Sequence, residues 1–266
     1  MTIRVVREGH TATVTIANPE SLNALLLADL AALADAWDEL ESDDRVRVVV
    51  LTGEGDRSFC SGANLKELIP ILTTGLREAG DPYRALAGQT VLQRAFLKPG
   101  QLSKPLIAAV NGLCYAGGVE LVNACDLRVA VDTAVFALQE ARWALFPAGG
   151  SVVRLPRQIP FAWAMEILLT GGRLTAREAL AAGLVNRAVP APELSSTVRE
   201  LADRIACNGP LAVRNIKRAV RACLELPLRE AFDEELRWAA EVLASDDAQE
   251  GPRAFAEKRE PKYRGR

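Results

Sequence analysis

The sequence predicts an α/β core followed by a purely helical C-terminal region. Short β-branched and apolar runs at residues 47–52 and 106–110 are typical of buried strands, most readily in a parallel sheet. Strand and helix patterns alternate up to about Pro190, after which only helical patterns recur. We therefore predict two regions, a core over residues 1–190 and a helical oligomerisation region over residues 191–266.

The first hundred residues divide into a hairpin, a helix, a strand and a long helical excursion. Alternating apolar and polar residues at 3–7 and 11–16 flank a turn and predict paired strands. Apolar residues recur at helical spacing over residues 22–41. Prolines and glycines interrupt residues 68–102, where a helix is predicted over residues 83–97, and this segment could shape or cover a pocket.

The middle of the chain, residues 104–150, is predicted to carry the functional site. A buried strand leads through a glycine turn into a helix, and two short strands follow at 127–131 and 134–137. Helices then follow at 150–158, 160–170, 210–222, 228–243 and 246–259, with a short strand at 184–189. The apolar stripes of the C-terminal helices must bury either against the same chain or against another subunit, and the sequence leaves that choice open.

Composition excludes several classes of function. The net charge of −2 does not favour nucleic acid or an anionic membrane as a partner. No leader-like or membrane-spanning apolar run is present in the sequence, so we expect a cytoplasmic protein. The five cysteines form no CxxC pair, and the only histidine, His10, falls in a predicted turn, so neither a metal site nor histidine-dependent catalysis is expected. Acid–base chemistry must then fall to Asp, Glu, Lys or Tyr.

Two glycines and two glutamates of the middle segment suggest a reaction site. Gly117 and Gly118 leave bare N–H groups at a helix start, where a developing negative charge would be stabilised. Glu120 and Glu140 lie in otherwise apolar sequence, where a carboxylate is costly unless it is paired or used. The alternatives are a tight turn for the glycines, a helix-dipole contact for Glu120, and a surface pair with Arg142 for Glu140.

Ordered segments along nearly the whole chain resemble the enoyl-CoA hydratase/isomerase (crotonase) superfamily, and their motifs are closest to those of enoyl-CoA hydratases. The segments are NPESLNALLLADLAAL at 18–33, VVVLTGEGDRSFCSGANLKEL at 48–68, KPLIAAVNGLCYAGGVELVNACDLRVA at 104–130, FALQEARWALFPAGGSVVRLPRQI at 136–159, LTGGRLTAREALAAGLVNRAV at 169–189 and FAEKREPKY at 255–263. The resemblance implies a crotonase-like ββα spiral core with a C-terminal helical trimerisation region. It also implies a homotrimer or a dimer of trimers.

The resemblance implies that an acyl-CoA thioester is the substrate. The N–H groups of Ala63 and Gly117 would hold the thioester oxygen, and Glu120 and Glu140 would be the catalytic carboxylates. Since both carboxylates are kept, hydration of a trans-2-enoyl-CoA to a 3-hydroxyacyl-CoA is favoured, as in fatty-acid β-oxidation. Glu120 would deprotonate the water and Glu140 would protonate the α-carbon. No metal and no cofactor apart from the coenzyme A of the substrate are expected.

Further positions are implied to bind the substrate and its coenzyme A. They are Ser61, Gly62, Asn64, Leu65, Lys66, Gly118, Phe255 and Lys258, the last two approaching from a neighbouring subunit. Two departures from the family pattern stand out, because Asn64 occupies a position where Asp is common and Ala116 one where a third glycine is common. These departures bear on which acyl group the protein accepts.

Three rival functions are weighed against hydration. An isomerase of the same family would use one glutamate as a proton shuttle without water. A non-catalytic acyl-CoA-binding protein would keep the pocket without turnover, and retention of both glutamates argues against it. A dinucleotide-binding protein fails because no GxGxxG motif follows the early strands.

Overall fold

A computed structural model describes residues 2–98 and 102–266. The strands are β1 (Ile3–Glu8), β2 (Thr11–Ile16), β3 (Val48–Gly53), β4 (Ser58–Cys60), β5 (Leu106–Val110), β6 (Leu113–Tyr115), β7 (Leu127–Val131), β8 (Val135–Ala137), β9 (Arg173–Thr175) and β10 (Arg187–Val189). The helices are α1 (Leu27–Ser42), α2 (Leu68–Glu78), α3 (Pro82–Ala87), α4 (Thr90–Ala95), α5 (Gly117–Ala124), α6 (Ser151–Gln158), α7 (Phe161–Thr170), α8 (Ala176–Ala181), α9 (Leu194–Ala206), α10 (Pro210–Cys223), α11 (Leu228–Leu243) and α12 (Asp246–Ala256). Short 3-10 helices lie at Pro19–Ser21, Glu140–Trp143 and Ala191–Glu193.

The strands form two sheets, and the chain visits them alternately. One sheet has the order β1-β2-β3-β5-β7-β10 and the other the order β4-β6-β8-β9. Each of the pairs β3–β4, β5–β6 and β7–β8 therefore places one strand in each sheet before the chain turns into helix. Within the sheets the neighbours β3, β5 and β7 are parallel, as are β4, β6 and β8. This repeat is the predicted ββα spiral.

The central strands are buried because both faces of the larger sheet are covered. All five residues of β5 are buried, as expected for a parallel strand with layers on both sides. Helix α9 packs against β2, β3, β5 and β7, and its buried residues include Val198 and Ala202. The region boundary predicted near residue 190 stays a prediction, although α9 on the far side of it belongs to the packed core.

Three strands were missed by the sequence pattern. β4, β6 and β9 are only three residues long each and, unlike the equally short β8 and β10, they do not lie within a longer predicted run. The helix predicted from residue 22 begins instead at Leu27. Leu22 and Asn23 have φ of 54° and 57°, a left-handed backbone that ends the preceding 3-10 helix and prevents an earlier start.

The helical excursion after residue 67 consists of three short helices. Gly80-Asp81-Pro82 separates α2 from α3, and Asp81 caps α3 by accepting a hydrogen bond from the Arg84 N–H. The helix predicted over residues 83–97 is divided into α3 and α4 around Gly88. Residues 99–101, the end of this predicted excursion, lie outside the described residues.

The C-terminal helices leave a large apolar surface uncovered. α10 and α11 pack on each other, yet eight large apolar side chains on and between them are exposed: Ile216, Val220, Leu224, Leu226, Leu228, Phe232, Leu236 and Leu243. A monomer seldom exposes so much apolar surface without a partner. Helix α12 ends at Ala256, three residues before the predicted end. No helix in the described ranges is long and apolar enough to cross a membrane.

Candidate active site

The predicted site residues meet at one edge of the smaller sheet. Ala63 follows β4, Gly117 follows β6, and Glu140 follows β8. These three strands are parallel neighbours, so their carboxyl ends lie side by side. Glu120 lies one turn into α5, directly after β6. The carboxyl edge of parallel strands is a common place for ligands, because loops from several strands converge there.

The loop after β4 leaves the Ala63 N–H without a hydrogen-bond acceptor among the described residues. Leu25 donates its N–H to the Gly62 carbonyl at 2.8 Å and accepts the Asn64 N–H at 2.8 Å. Because backbone groups alternate in direction along an extended segment, the N–H between those two contacts points away from Leu25. Within the described residues, the Ala63 N–H has no acceptor. Ala63 therefore offers a free donor at this edge.

The second donor is the first N–H of α5. Gly117 has no backbone acceptor among the described residues, as expected for the start of a helix. Ala116, the residue before it, has φ of 48° and ψ of −119°, a backbone conformation that favours glycine. A strained backbone conformation of this kind persists only where the surrounding structure imposes it. Here it directs the start of α5 toward the loop after β4.

The two donors lie next to each other. A Cβ built on Gly62 would lie 3.1 Å from the Gly117 nitrogen, and one built on Gly117 would lie 3.7 Å from the Ala63 nitrogen. Gly62 also has φ of 97°, which glycine adopts without strain. A Cβ on Gly118 would collide with the Cys60 carbonyl oxygen. These glycines let α5 approach β4 closely, which brings the Ala63 and Gly117 nitrogens near each other.

Glu120 is buried beside the start of α6. Its side chain accepts the Ser151 N–H at 3.3 Å, and Gly149 packs against its Oε2 so closely that a Cβ there would collide. Burial raises the pKa of Glu120 to about 7, and the charge of Glu140 adds to that rise. The N–H groups of Ser151 and Gly149 and the ammonium of Lys98 act in the opposite direction. Glu120 therefore holds a proton far more readily than an exposed glutamate does.

Glu140 is buried at the start of a 3-10 helix. Burial raises its pKa, and its Oε2 has no hydrogen-bond partner among the described residues. The pair with Arg142, the alternative from sequence, does not form, since no ion pair of Glu140 is found in the described part of the chain. A buried carboxyl oxygen without a partner is costly, so this group is available to a ligand or a water.

The other positions predicted to bind coenzyme A are divided between two places. Ser61, Gly62 and Gly118 border the donor pair, whereas Leu65 and Lys66 are exposed just outside it. Asn64 bonds within its own turn, because its side-chain oxygen accepts the N–H groups of Lys66 and Glu67. An aspartate would accept the same bonds, so the departure from the family pattern leaves this turn intact.

Phe255 and Lys258 make no hydrogen bond to the predicted site among the described residues. Phe255 is 87% exposed at the end of α12, and Lys258 is exposed with φ of 53°. The tail beyond them is held to the body elsewhere, since Arg47 donates to the Tyr263 carbonyl and Glu250 accepts from Arg259. Their predicted contact with a neighbouring subunit's ligand stays a prediction.

Sequence reasoning missed several residues that shape the site. The Asn23 amide donates to the Ser58 and Glu54 carbonyls, and the Asn111 amide donates to the Gly53, Gly55 and Ser58 carbonyls, so both fix the start of β4. Phe96 places its ring 3.4 Å from the Cβ position of Gly117 and 3.0 Å from that of Gly149. Asn-Gly at 111–112 signals a turn, but nothing in the local sequence marks Phe96.

These features define a class of protein: an α/β spiral whose strand ends carry a pair of free N–H donors beside two buried carboxyl groups. A family model described as enoyl-CoA hydratase/isomerase matches residues 7–266. The chain therefore belongs to the enoyl-CoA hydratase/isomerase family, within the crotonase superfamily, whose members act on acyl-CoA thioesters.

Individual relatives agree with the family over almost the whole chain. The enoyl-CoA hydratase EchA19 of Mycobacterium tuberculosis is 43% identical over 262 residues, covering 98% of this chain and 96% of the relative. The carnitinyl-CoA dehydratase of Proteus mirabilis is 38% identical over 268 residues, covering 99% and 98%. The crystal structure of an enoyl-CoA hydratase from Bacillus anthracis superposes with a TM-score of 0.92 at 35% identity, covering 100% of both chains. The fold class predicted from sequence, a crotonase-like spiral followed by C-terminal helices, is confirmed.

Proposed function

We propose that the protein is an enoyl-CoA hydratase, which adds water across the 2,3 double bond of a trans-2-enoyl-CoA. The observation that carries this proposal is the pair of buried carboxyl groups, Glu120 and Glu140, at the strand edge that also presents the Ala63 and Gly117 N–H groups. Both carboxyl groups have raised pKa values and neither is ion-paired within the described residues. Addition of water needs one proton removed and one delivered, which two such groups can do.

The proposed reaction begins with the thioester oxygen between the N–H groups of Ala63 and Gly117. Glu120 takes a proton from water as the new C–O bond forms at the β-carbon. The electrons of the double bond move onto the thioester, whose oxygen becomes enolate-like and is stabilised by both donors. Removing one donor of this kind typically costs about 3 kcal/mol of transition-state stabilisation. Glu140 then gives its proton to the α-carbon, and the product is a 3-hydroxyacyl-CoA.

The pKa of Glu120, raised to about 7, suits the proposed base. A general base acts best when its pKa lies near the working pH. Burial favours the protonated form of Glu140, as the proposed acid requires. Every proton is carried by the chain, the water or the substrate, so we propose no cofactor besides the coenzyme A of the substrate.

The relatives support a reaction that adds or removes water. EchA19 is named a hydratase and the Proteus protein a dehydratase, so both names describe the gain or loss of water by a CoA thioester. We propose that Ser61, Gly62, Asn64, Leu65, Lys66 and Gly118 contact the substrate from the same chain. We propose that Phe255 and Lys258 contact it from a second copy of the chain.

A substrate panel tests the proposed reaction. The purified protein is mixed with crotonyl-CoA and with longer and branched 2-enoyl-CoAs, and loss of the conjugated thioester absorbance is followed. We expect hydration of at least one 2-enoyl-CoA, with a 3-hydroxyacyl-CoA as product. The same enzyme is mixed with 3-enoyl-CoAs, whose conversion to 2-enoyl-CoAs without hydration would favour the isomerase instead. Tight binding without turnover of either series would favour a non-catalytic acyl-CoA-binding protein.

We also propose that the protein is a homotrimer or a dimer of trimers. The exposed apolar residues of α10 and α11 support association, because burying them removes apolar surface from water. Sedimentation equilibrium is expected to give a mass of three or six chains. Phe232→Glu, which places a charge among these residues, should shift the protein toward monomer, whereas a monomeric wild-type protein would contradict the proposal.

A further inference from the structure

Lys98 lies beside the active site, although sequence reasoning gave it no role. It follows α4, and the amine nitrogen Nζ donates a hydrogen bond to the Ala148 carbonyl. Ala148 directly precedes Gly149, whose backbone packs against Oε2 of Glu120. The ammonium of Lys98 is thus bonded to the turn that holds the carboxylate of Glu120.

The backbone that carries Lys98 is itself fixed. Arg154, on α6, donates to the Phe96 carbonyl at 2.9 Å and to the Leu97 carbonyl at 2.6 Å. Leu97 has φ of 51°, an uncommon conformation that these hydrogen bonds help to hold. The same helix donates the Ser151 N–H to Glu120. Helix α6 therefore anchors both the carboxylate and the segment that brings the lysine to it.

The Phe96 ring lies against both glycines of this arrangement. Its Cδ1 lies 3.0 Å from the Cβ position of Gly149, and its Cζ lies 3.4 Å from that of Gly117. Phe96 is only 5% exposed, so its ring is a buried apolar neighbour of both glycines. A charge in such surroundings is screened less than in water, which strengthens the influence of Lys98.

We propose that Lys98 is a positioning residue for Glu120, acting through the turn at residues 147–150 and through its own charge. This proposal rests on the proposed role of Glu120 as the base. The charged groups of the described residues that act on Glu120 include Lys98, Arg154 from α6 and Glu140 from the 3-10 helix. Glu140 favours the protonated form of Glu120, whereas Lys98 and Arg154 favour the ionised form that accepts a proton.

The test compares Lys98→Met with Lys98→Arg across the pH range. Loss of the positive charge raises the pKa of Glu120, so less of the ionised base is present at a given pH. We expect the acid limb of kcat/KM for the best 2-enoyl-CoA to move up by about one pH unit in Lys98→Met. At neutral pH we expect kcat to fall about fivefold while KM changes far less, since no contact with the substrate is removed. Lys98→Arg keeps the charge and should restore the acid limb.

Two controls separate this role from a purely structural one. Arg157→Met removes one positive charge from the exposed part of α6, and its pH profile should match that of the wild type. Titration of the Glu120 carboxyl carbon by NMR, assigned by comparison with Glu120→Gln, should show the same upward shift in Lys98→Met. If Lys98→Met does not fold, Lys98→Gln replaces it, because glutamine keeps a hydrogen-bond donor without the charge. We expect the same upward shift of the acid limb and of the Glu120 titration in Lys98→Gln.

The outcomes that would overturn this proposal differ from those that would overturn the hydratase. An unmoved acid limb and an unmoved Glu120 titration in the neutral variants would remove Lys98 from its role and leave the hydratase standing. An equal shift in Lys98→Arg and Lys98→Met would show that charge is not the cause and would also overturn the proposal. Normal turnover by Glu120→Gln would instead overturn the proposed base, and the role of Lys98 with it.

Discussion

Replacing either Glu120 or Glu140 by glutamine is expected to reduce kcat for 2-enoyl-CoA hydration by at least about a thousandfold. Glutamine has nearly the shape of glutamate, so packing against Gly149 and the bond from Ser151 can persist. What is lost is the ability to take up or release a proton. The double variant should be little worse than the single ones, because the two groups act on one transition state.

The measurement is steady-state turnover of crotonyl-CoA or the best substrate of the panel. Glu200→Gln is a matched control, since Glu200 lies on α9 with its side chain exposed and paired with Arg204. This control should keep wild-type activity. Circular dichroism and sedimentation establish that each variant is folded and assembled. Near-normal turnover by both Glu120→Gln and Glu140→Gln would refute the assignment of the two carboxyl groups.

Glu120→Gln is also expected to stabilise the fold, and to do so only at higher pH. The Glu120 pKa is about 7 in the folded protein, against a reference of 4.5 for an exposed glutamate. Between these values the folded state binds more protons than the unfolded state, so stability falls as pH rises. The loss amounts to about 3 kcal/mol once pH exceeds the folded pKa. Glutamine is uncharged at every pH, so the Glu120→Gln variant does not lose this stability as the pH rises.

Denaturant unfolding at fixed protein concentration tests this expectation, because association also contributes to stability. The difference in the free energy of unfolding between Glu120→Gln and wild type should be small below about pH 4.5. It should grow as the pH rises from there to about 7 and then level off. Glu200→Gln should show no such growth. A difference that is the same at all pH values would mean that Glu120 is not held protonated by burial. A group that destabilises its own fold is typical of a site selected for activity.

Much of the fold was accessible from the sequence, because its signals are local. The apolar runs at 48–53 and 106–110 are continuous, since those strands are covered on both faces. The hairpin of β1 and β2 and the helices around Pro160, Pro210 and Pro227 follow from turn residues and periodicity. The three-residue strands β4, β6 and β9 were missed because their partners, rather than their sequences, make them strands.

The candidate site was accessible only in part. Gly117, Glu120 and Glu140 stand out locally as a glycine turn and two carboxylates in apolar sequence. Ala63 carries no such mark, and its role came only from the family resemblance. The neighbours of Ala63, Gly62 and Asn64, both hydrogen-bond to Leu25, which is distant in the sequence. The Ala63 N–H between them is therefore left without an acceptor among the described residues.

Sequence alone therefore determined the α/β pattern, the helical C-terminal region and the residue types available for chemistry. With one histidine and no CxxC pair, the composition left proton transfer to Asp, Glu, Lys or Tyr. The tertiary structure decided how those groups behave. The raised pKa of Glu120, the unpaired oxygen of Glu140 and the bond of Lys98 to the turn beside Glu120 all depend on distant segments. The physical reason is that burial and charge act through space, whereas periodicity and turn chemistry act along the chain.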